Sequence, residues 1–92
     1  MKTWSKELID KTRNELDEML TYTDLSGKLH WLIGNMDLDN GAHFKNIDEE
    51  RFGIMSVEDA YNDKYTILLK NNRGLETFET IDALISAGWV LD

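Results

Sequence analysis

The stretch that most constrains this 92-residue chain runs from Lys64 to Leu91. Lys64–Lys70 alternates, with Tyr65, Ile67 and Leu69 on one side and Thr66, Leu68 and Lys70 on the other, which is the period of a strand. Asn71-Asn72-Arg73-Gly74 follows and fits a type I turn with glycine in the left-handed position after it. The returning segment 75–79 is polar except for Leu75 and Phe78. It reads as an edge strand that Glu76 and Glu79 keep from pairing further. Thr80 then caps a helix with Asp82 in its first turn and Ile81, Leu84 and Ile85 as its apolar stripe. Gly88 takes the left-handed place after it, and Trp89 folds back on Leu84 as in a Schellman ending. A helix of about eight residues is unstable alone, so this one must pack on the sheet, alongside a second helix.

Residues 4–20 supply that second helix. Ser5 caps it, Glu7 sits in its first turn, and Leu8, Ile9, Thr12, Leu16, Met19 and Leu20 make one stripe. Glu15, Asp17 and Glu18 crowd the end where the helix dipole disfavours negative charge. Residues 21–35 fit two descriptions. One is a helix from Thr23 to Gly34 carrying Leu25, Leu29, Leu32 and Ile33. The other is a Ser26-Gly27 turn and a strand from Lys28 with Leu29, Trp31 and Ile33 on one face. Glycine inside a short helix costs about 1 kcal/mol relative to alanine, which favours the strand.

Asn40-Gly41 is the strongest short turn signal, since a type I′ turn needs positive φ at both central residues. It is expected to join 36–39 to 42–46 as an exposed hairpin with Asp37 and Asp39 near its tip. Arg51–Val57 reads as a strand with Phe52, Ile54 and Ser56 on one face. That strand either continues to Tyr61 or gives way to a single helical turn capped by Ser56. Val90-Leu91 adds a last short strand or tucks under the sheet. The whole is expected to be one α+β domain over 1–92: an N-terminal helix, an antiparallel meander of three to five strands, and a short capped C-terminal helix.

The chain has no cysteine, which excludes disulfides and cysteine-rich zinc sites. No apolar run approaches the roughly 18–20 residues that span a membrane, and the first residues lack the layout of a signal peptide. The expected setting is a bacterial cytoplasm. Net charge is −8 and unevenly spread: residues 15–63 hold twelve acids against three bases, whereas residues 1–14 are net basic. Such a field repels nucleic acid and anionic membranes and attracts basic protein surfaces. Phosphate contacts need clustered Lys and Arg, so direct nucleic-acid binding is not expected.

Motifs that carry chemistry are few. His30 and His43, with Asp37 or Asp39, are the only residues that suggest zinc, and they lack metal-ligand spacing. The segment from Asn35 to Gly41 begins like a calcium loop, but its sixth and twelfth positions are Asn40 and Asn46 rather than glycine and glutamate. Ser26-Gly27-Lys28 has no glycine at the distance a P-loop requires, and no nucleophile elbow or dinucleotide fingerprint exists. The expectation is a non-enzymatic protein without metal or cofactor, with Trp4, Trp31 and Trp89 each read as a core residue.

The strand with its Asn71-Asn72-Arg73-Gly74 turn, the strand after it and the helix closing on Gly88-Trp89 resemble small acidic phage-encoded inhibitors, in particular type II anti-CRISPR proteins. The resemblance covers about 30 residues, is one of pattern, and transfers no residue roles. It implies a protein that sets carboxylates where a nuclease expects phosphates and so blocks its DNA-binding channel. The carboxylates then expected to bind the partner are Asp37, Asp39, Asp48, Glu49, Glu50, Glu58, Asp59 and Asp63, with Glu15, Asp17 and Glu18 able to extend the patch, from a monomer or small homo-oligomer. The alternative is an acidic adaptor that binds through an apolar surface or a sheet edge.

Overall fold

The structure is a computed structural model that describes residues 3–48, 51–70 and 74–92. Among these residues the chain forms α1 (Lys6–Asp17), β1 (Leu20–Thr23), β2 (Leu29–Ile33), β3 (Met36–Leu38), β4 (Ala42–Asn46), β5 (Phe52–Met55), α2 (Val57–Tyr61), β6 (Tyr65–Leu69), β7 (Leu75–Phe78), α3 (Ile81–Ser86) and β8 (Trp89–Leu91). This is the expected α+β architecture. The strands divide between two antiparallel sheets: a three-stranded sheet in the order β1-β2-β3, and a five-stranded sheet in the order β7-β6-β5-β4-β8.

The C-terminal stretch folds as its pattern predicts. Tyr65 and Ile67 are buried, and β7 is the outer strand of its sheet. Asn71, Asn72 and Arg73 lie outside the described residues; Gly74 has the left-handed φ of 106° that the turn asks for. The Thr80 hydroxyl oxygen accepts the Ala83 N–H at 3.0 Å, and Gly88, at φ 97°, donates its N–H to Ile85 O at 2.9 Å. β8 then pairs with β4, matching Phe44 with Leu91 and Asn46 with Trp89.

The core lies on one face of the five-stranded sheet. Phe44, Met55, Ile67 and Trp89 project from the strands, and Leu16 of α1, Val57 and Ala60 of α2, Leu84 of α3 and Trp31 of β2 cover them. The helix α1 closes the outer edge of β8. Its Thr12 hydroxyl oxygen accepts the Leu91 N–H at 2.9 Å and donates to Leu8 O at 2.8 Å. A buried N–H that would otherwise be orphaned is thereby satisfied. Trp4 adds a second tie, its indole N–H donating to Gly88 O at 2.6 Å.

Two expectations change, and between them an open choice closes in favour of the strand. First, α1 ends at Asp17, and Leu20 belongs to a strand, although Met19 and Leu20 continue the helical period. The last turn of α1 holds no base to offset its acids. The ambiguous 21–35 segment is a β-hairpin. Strand β2 places Trp31 inward, and Gly34 (φ 62°) and Asn35 form the two-residue link from Ile33 to its partner Met36. Second, Asn40-Gly41 does not make a hairpin, because β3 and β4 belong to different sheets. Gly41 is required for another reason. Its φ is 113°, and a Cβ there would lie 2.1 Å from the Met55 carbonyl oxygen, so only glycine lets the crossover pass against β5. The segment after β5, open from sequence, is the helical alternative: the Ser56 hydroxyl oxygen accepts the Asp59 N–H at 3.1 Å. No helix among the described residues is long and apolar enough to cross a membrane.

Candidate functional site

The carboxylates proposed from sequence separate into three environments. The first is the outer face of the three-stranded sheet, where Asp37 and Asp39 are committed within the chain. Pairing of Tyr22 with His30 and of Leu32 with Asp37 sets Tyr22, His30 and Asp37 side by side on one face. The Asp37 carboxylate lies 2.7 Å from His30 Nδ1, and the Asp24 carboxylate lies 2.7 Å from His30 Nε2. An ionised carboxylate accepts only, so both ring nitrogens must donate, and that requires the imidazolium. The Tyr22 ring stacks on the imidazole at 4.7 Å between centroids, and its hydroxyl donates to Asp37. Asp39 pairs with the Lys28 ammonium at 3.0 Å.

Each partner shifts the titration of the others. The Asp24 hydrogen bond is the largest of the effects that raise His30 above its ordinary pKa, with Asp37 adding to it. The Ser26 hydroxyl, then His30, hold Asp24 far below the carboxylate range. Asp37 is lowered chiefly by the Tyr22 hydroxyl, and Asp39 by Lys28. Asp24 also builds the turn into β2, accepting the N–H groups of Ser26 at 2.9 Å and Lys28 at 3.0 Å. The two aspartates approach opposite nitrogens of His30 and do not converge on one point. His43 stands apart on the five-stranded sheet, paired across from Ile54. Among the described residues no three His, Asp or Glu side chains are gathered as a metal site.

The second environment lies at the α2 end of the molecule. Glu58 and Asp59 occupy the first turn of α2, and Asp63 follows it with φ 59°, a left-handed conformation that aspartate tolerates. Asp63 accepts a hydrogen bond from the Tyr65 hydroxyl at 3.3 Å. Burial, then Asp63 itself, pushes the Tyr65 phenol above its ordinary pKa. An open depression of about 560 Å³ is lined by Arg13, Asp17, Asp63, Tyr65, Glu79 and Asp82, with Thr80 and Ile81. Arg13 is claimed by Asp82 across the gap between α1 and α3. Among the described residues, Asp17, Glu58, Asp59, Asp63 and Glu79 form no ion pair.

The third environment is the opposite end of the β4–β5 hairpin. There the Asp48 N–H donates to the Asn46 side-chain oxygen at 2.8 Å, while Asn46 donates to Ala87 O at 3.0 Å. Asp48 borders a depression of about 570 Å³ with Trp4, Ile47 and Gly88. Glu49 and Glu50 lie outside the described residues. The pairing of Ala42 with Met55 and of Lys45 with Phe52 places this loop and α2 at opposite ends of the hairpin. The six described carboxylates therefore do not form one surface. Sequence reasoning missed Glu79 as a neighbour of Asp63, and it missed the link from Asp24 through His30 to Asp37. Histidine opposite tyrosine on paired strands, with an aspartate on each flank, is the signal that would have marked the latter. No family model, curated protein or solved structure matches this chain.

Proposed function

We propose that this protein is a non-enzymatic, cytoplasmic inhibitor of the phage or mobile-element type, which occupies the DNA-binding surface of a nucleic-acid enzyme such as a CRISPR nuclease. The observation that carries this reading is the set of carboxylates at the α2 end that form no ion pair among the described residues: Glu58 and Asp59 on α2, and Asp63, which shares a depression with Asp17 and Glu79. Among the described residues these acids have no cation to lose on binding, so each is available to a Lys or Arg that otherwise holds a phosphate. Asp37 and Asp39 are poorer candidates, because His30 and Lys28 already neutralise them. A target would have to displace those partners first. Asp48 forms a separate contact region at the other end.

The test is DNA cleavage by a purified type II CRISPR nuclease, with this protein in excess and salt varied. Inhibition is expected at low ionic strength and should weaken towards about 0.5 M salt, where the Debye length falls to roughly 4 Å. Lysines replacing Glu58, Asp59 and Asp63 together should abolish it, whereas Asp37→Asn and Asp39→Asn should reduce it little. Inhibition indifferent to both the triple reversal and salt would remove the electrostatic reading and favour the apolar adaptor.

A further inference from the structure

The depression where α1 begins, α3 ends and the chain leaves β4 has apolar walls and, among the described residues, one charged group. Trp4, Ile9, Ile47 and Ile85 line it, each half-buried, together with Gly88 and Asp48. Its volume of about 570 Å³ lies within the roughly 300–1,000 Å³ of ligand clefts. One wall is fixed in advance, because the Trp4 indole N–H donates to Gly88 O at 2.6 Å. Two features give the hollow a sign. Asp48 is exposed and forms no ion pair among the described residues. The last turn of α3 carries no base, so nothing on that helix offsets the negative end of its dipole. Lys45 does not supply the missing charge: its ammonium stands 5.1 Å from the Trp4 ring centroid and 3.9 Å from an Asp92 carboxylate oxygen. That contact shows the Trp4 ring accepting a cation.

We propose that this hollow receives one arginine side chain of a basic protein partner. Charge and wall chemistry select it together. An arginine carries an apolar stem and a cationic head, so the stem can lie on Ile9, Ile47 and Ile85 while the head meets Asp48. A purely aliphatic side chain would cover the walls and leave the Asp48 carboxylate with less water and no partner. An acidic group, or a nucleic-acid phosphate, would meet like charge at Asp48 and at the end of α3. Arginine suits the place better than lysine. Its guanidinium is more weakly hydrated, stacks on aromatic rings, and presents paired donors that a carboxylate accepts side by side. A fixed indole beside a carboxylate means that little has to be ordered when the side chain enters. Arginines seated in such pockets are among the residues that dominate binding energy at protein interfaces.

The inference rests on the reading that the partner presents basic side chains, but its test needs no target. The whole protein is titrated by NMR with N-acetyl-arginine amide to roughly 50 mM, since a fragment of this size binds in about the millimolar range. The Trp4 indole N–H and the Asp48 and Gly88 amides should shift and saturate. The indole N–H groups of Trp31 and Trp89, buried away from the hollow, should stay still. N-acetyl-citrulline amide, similar in shape and uncharged, should bind about tenfold more weakly or less, and Asp48→Asn should weaken the arginine probe to the same degree, the loss of a charge-assisted contact. Equal shifts from the citrulline probe overturn the proposal, as does an arginine response unchanged in Asp48→Asn. Shifts confined to Asp63, Tyr65 and Glu79 at the α2 end overturn it too, and a lysine amide that binds as tightly overturns the choice of arginine. The two readings fail separately. Probe binding at Trp4 with an uninhibited nuclease keeps this pocket and removes the nuclease; inhibition with no probe binding at Trp4 removes the pocket and keeps the nuclease.

Discussion

In the five-stranded sheet, Phe44, Met55, Ile67 and Trp89 are all fully buried, and three helices close over them. In the three-stranded sheet, Trp31 alone is fully buried, and the opposite face is organised by His30, Asp24, Asp37 and Tyr22. Apolar burial does not depend on protonation. A histidine that must donate from both nitrogens does. The two sheets share one core and should still answer differently to pH, and local opening should reach the smaller one first.

The largest expected effect tests whether the small sheet hangs on one side chain. Trp31→Ala should cost about 3–5 kcal/mol, the usual range for a fully buried aromatic. Amide exchange should quicken in 20–38 while β4, β5 and β6 keep their protection. Trp89→Ala, of similar cost, should instead weaken protection throughout the five-stranded sheet. Equal exchange in both regions for Trp31→Ala would erase the distinction.

Next comes the polar support of the larger sheet. Thr12→Val keeps the shape of the side chain and removes the acceptor of the buried Leu91 N–H. A loss of about 1–3 kcal/mol in urea unfolding is expected, the cost of one unsatisfied buried group. That loss should be the same at pH 5 and pH 8, since no titrating group is involved. Thr80→Ala removes the cap of α3 and should cost about 1 kcal/mol, again independent of pH.

The smallest effect belongs to the exposed network, and its sign follows from linkage. His30 has a raised folded pKa, so its contribution is complete below its unfolded value, about 6.5, and fades as pH rises through the folded value. Asp24, Asp37 and Asp39 have lowered folded pKa values. Their contribution is complete above the unfolded value, about 3.9, and is lost as pH falls through the folded ones. Protection of residues 20–38 should therefore peak between about pH 4 and pH 6.5. His30→Gln should remove the alkaline limb and leave protection of the larger sheet unchanged. The His30 ring should titrate above its ordinary value by NMR; a titration at or below it would break the network as described.

The same division explains what could be read from the residues alone. From Tyr65 to Trp89 each signal is local: alternation, a capping threonine, a glycine stop. Local signals need no knowledge of pairing. The N-terminal half depends on partners far away in sequence. Leu20 continues a helical stripe in sequence and is 67% exposed in a strand. Gly41 looks like a hairpin glycine and serves a close approach to the Met55 carbonyl. Asp24, His30 and Asp37 show no motif spacing, because the register of β1, β2 and β3 brings them together. Among the acids, sequence showed that the charge was concentrated. Which acids were already neutralised depended on Lys28 and His30 being folded against them.

The helix α1 carries a kinetic consequence. It is the longest helix here, yet its firm tertiary ties run to the other end of the chain: Thr12 to Leu91, 79 positions away, and Trp4 to Gly88, 84 away. Contacts that span so much sequence form only after most of the chain is ordered. α1 should therefore dock late, against an edge that β4 and β8 have already built. Substitutions such as Thr12→Val should then speed unfolding and hardly slow folding. The N-terminal helix would act as a latch on the finished sheet, and the strands it covers would be the part that has to find its register first.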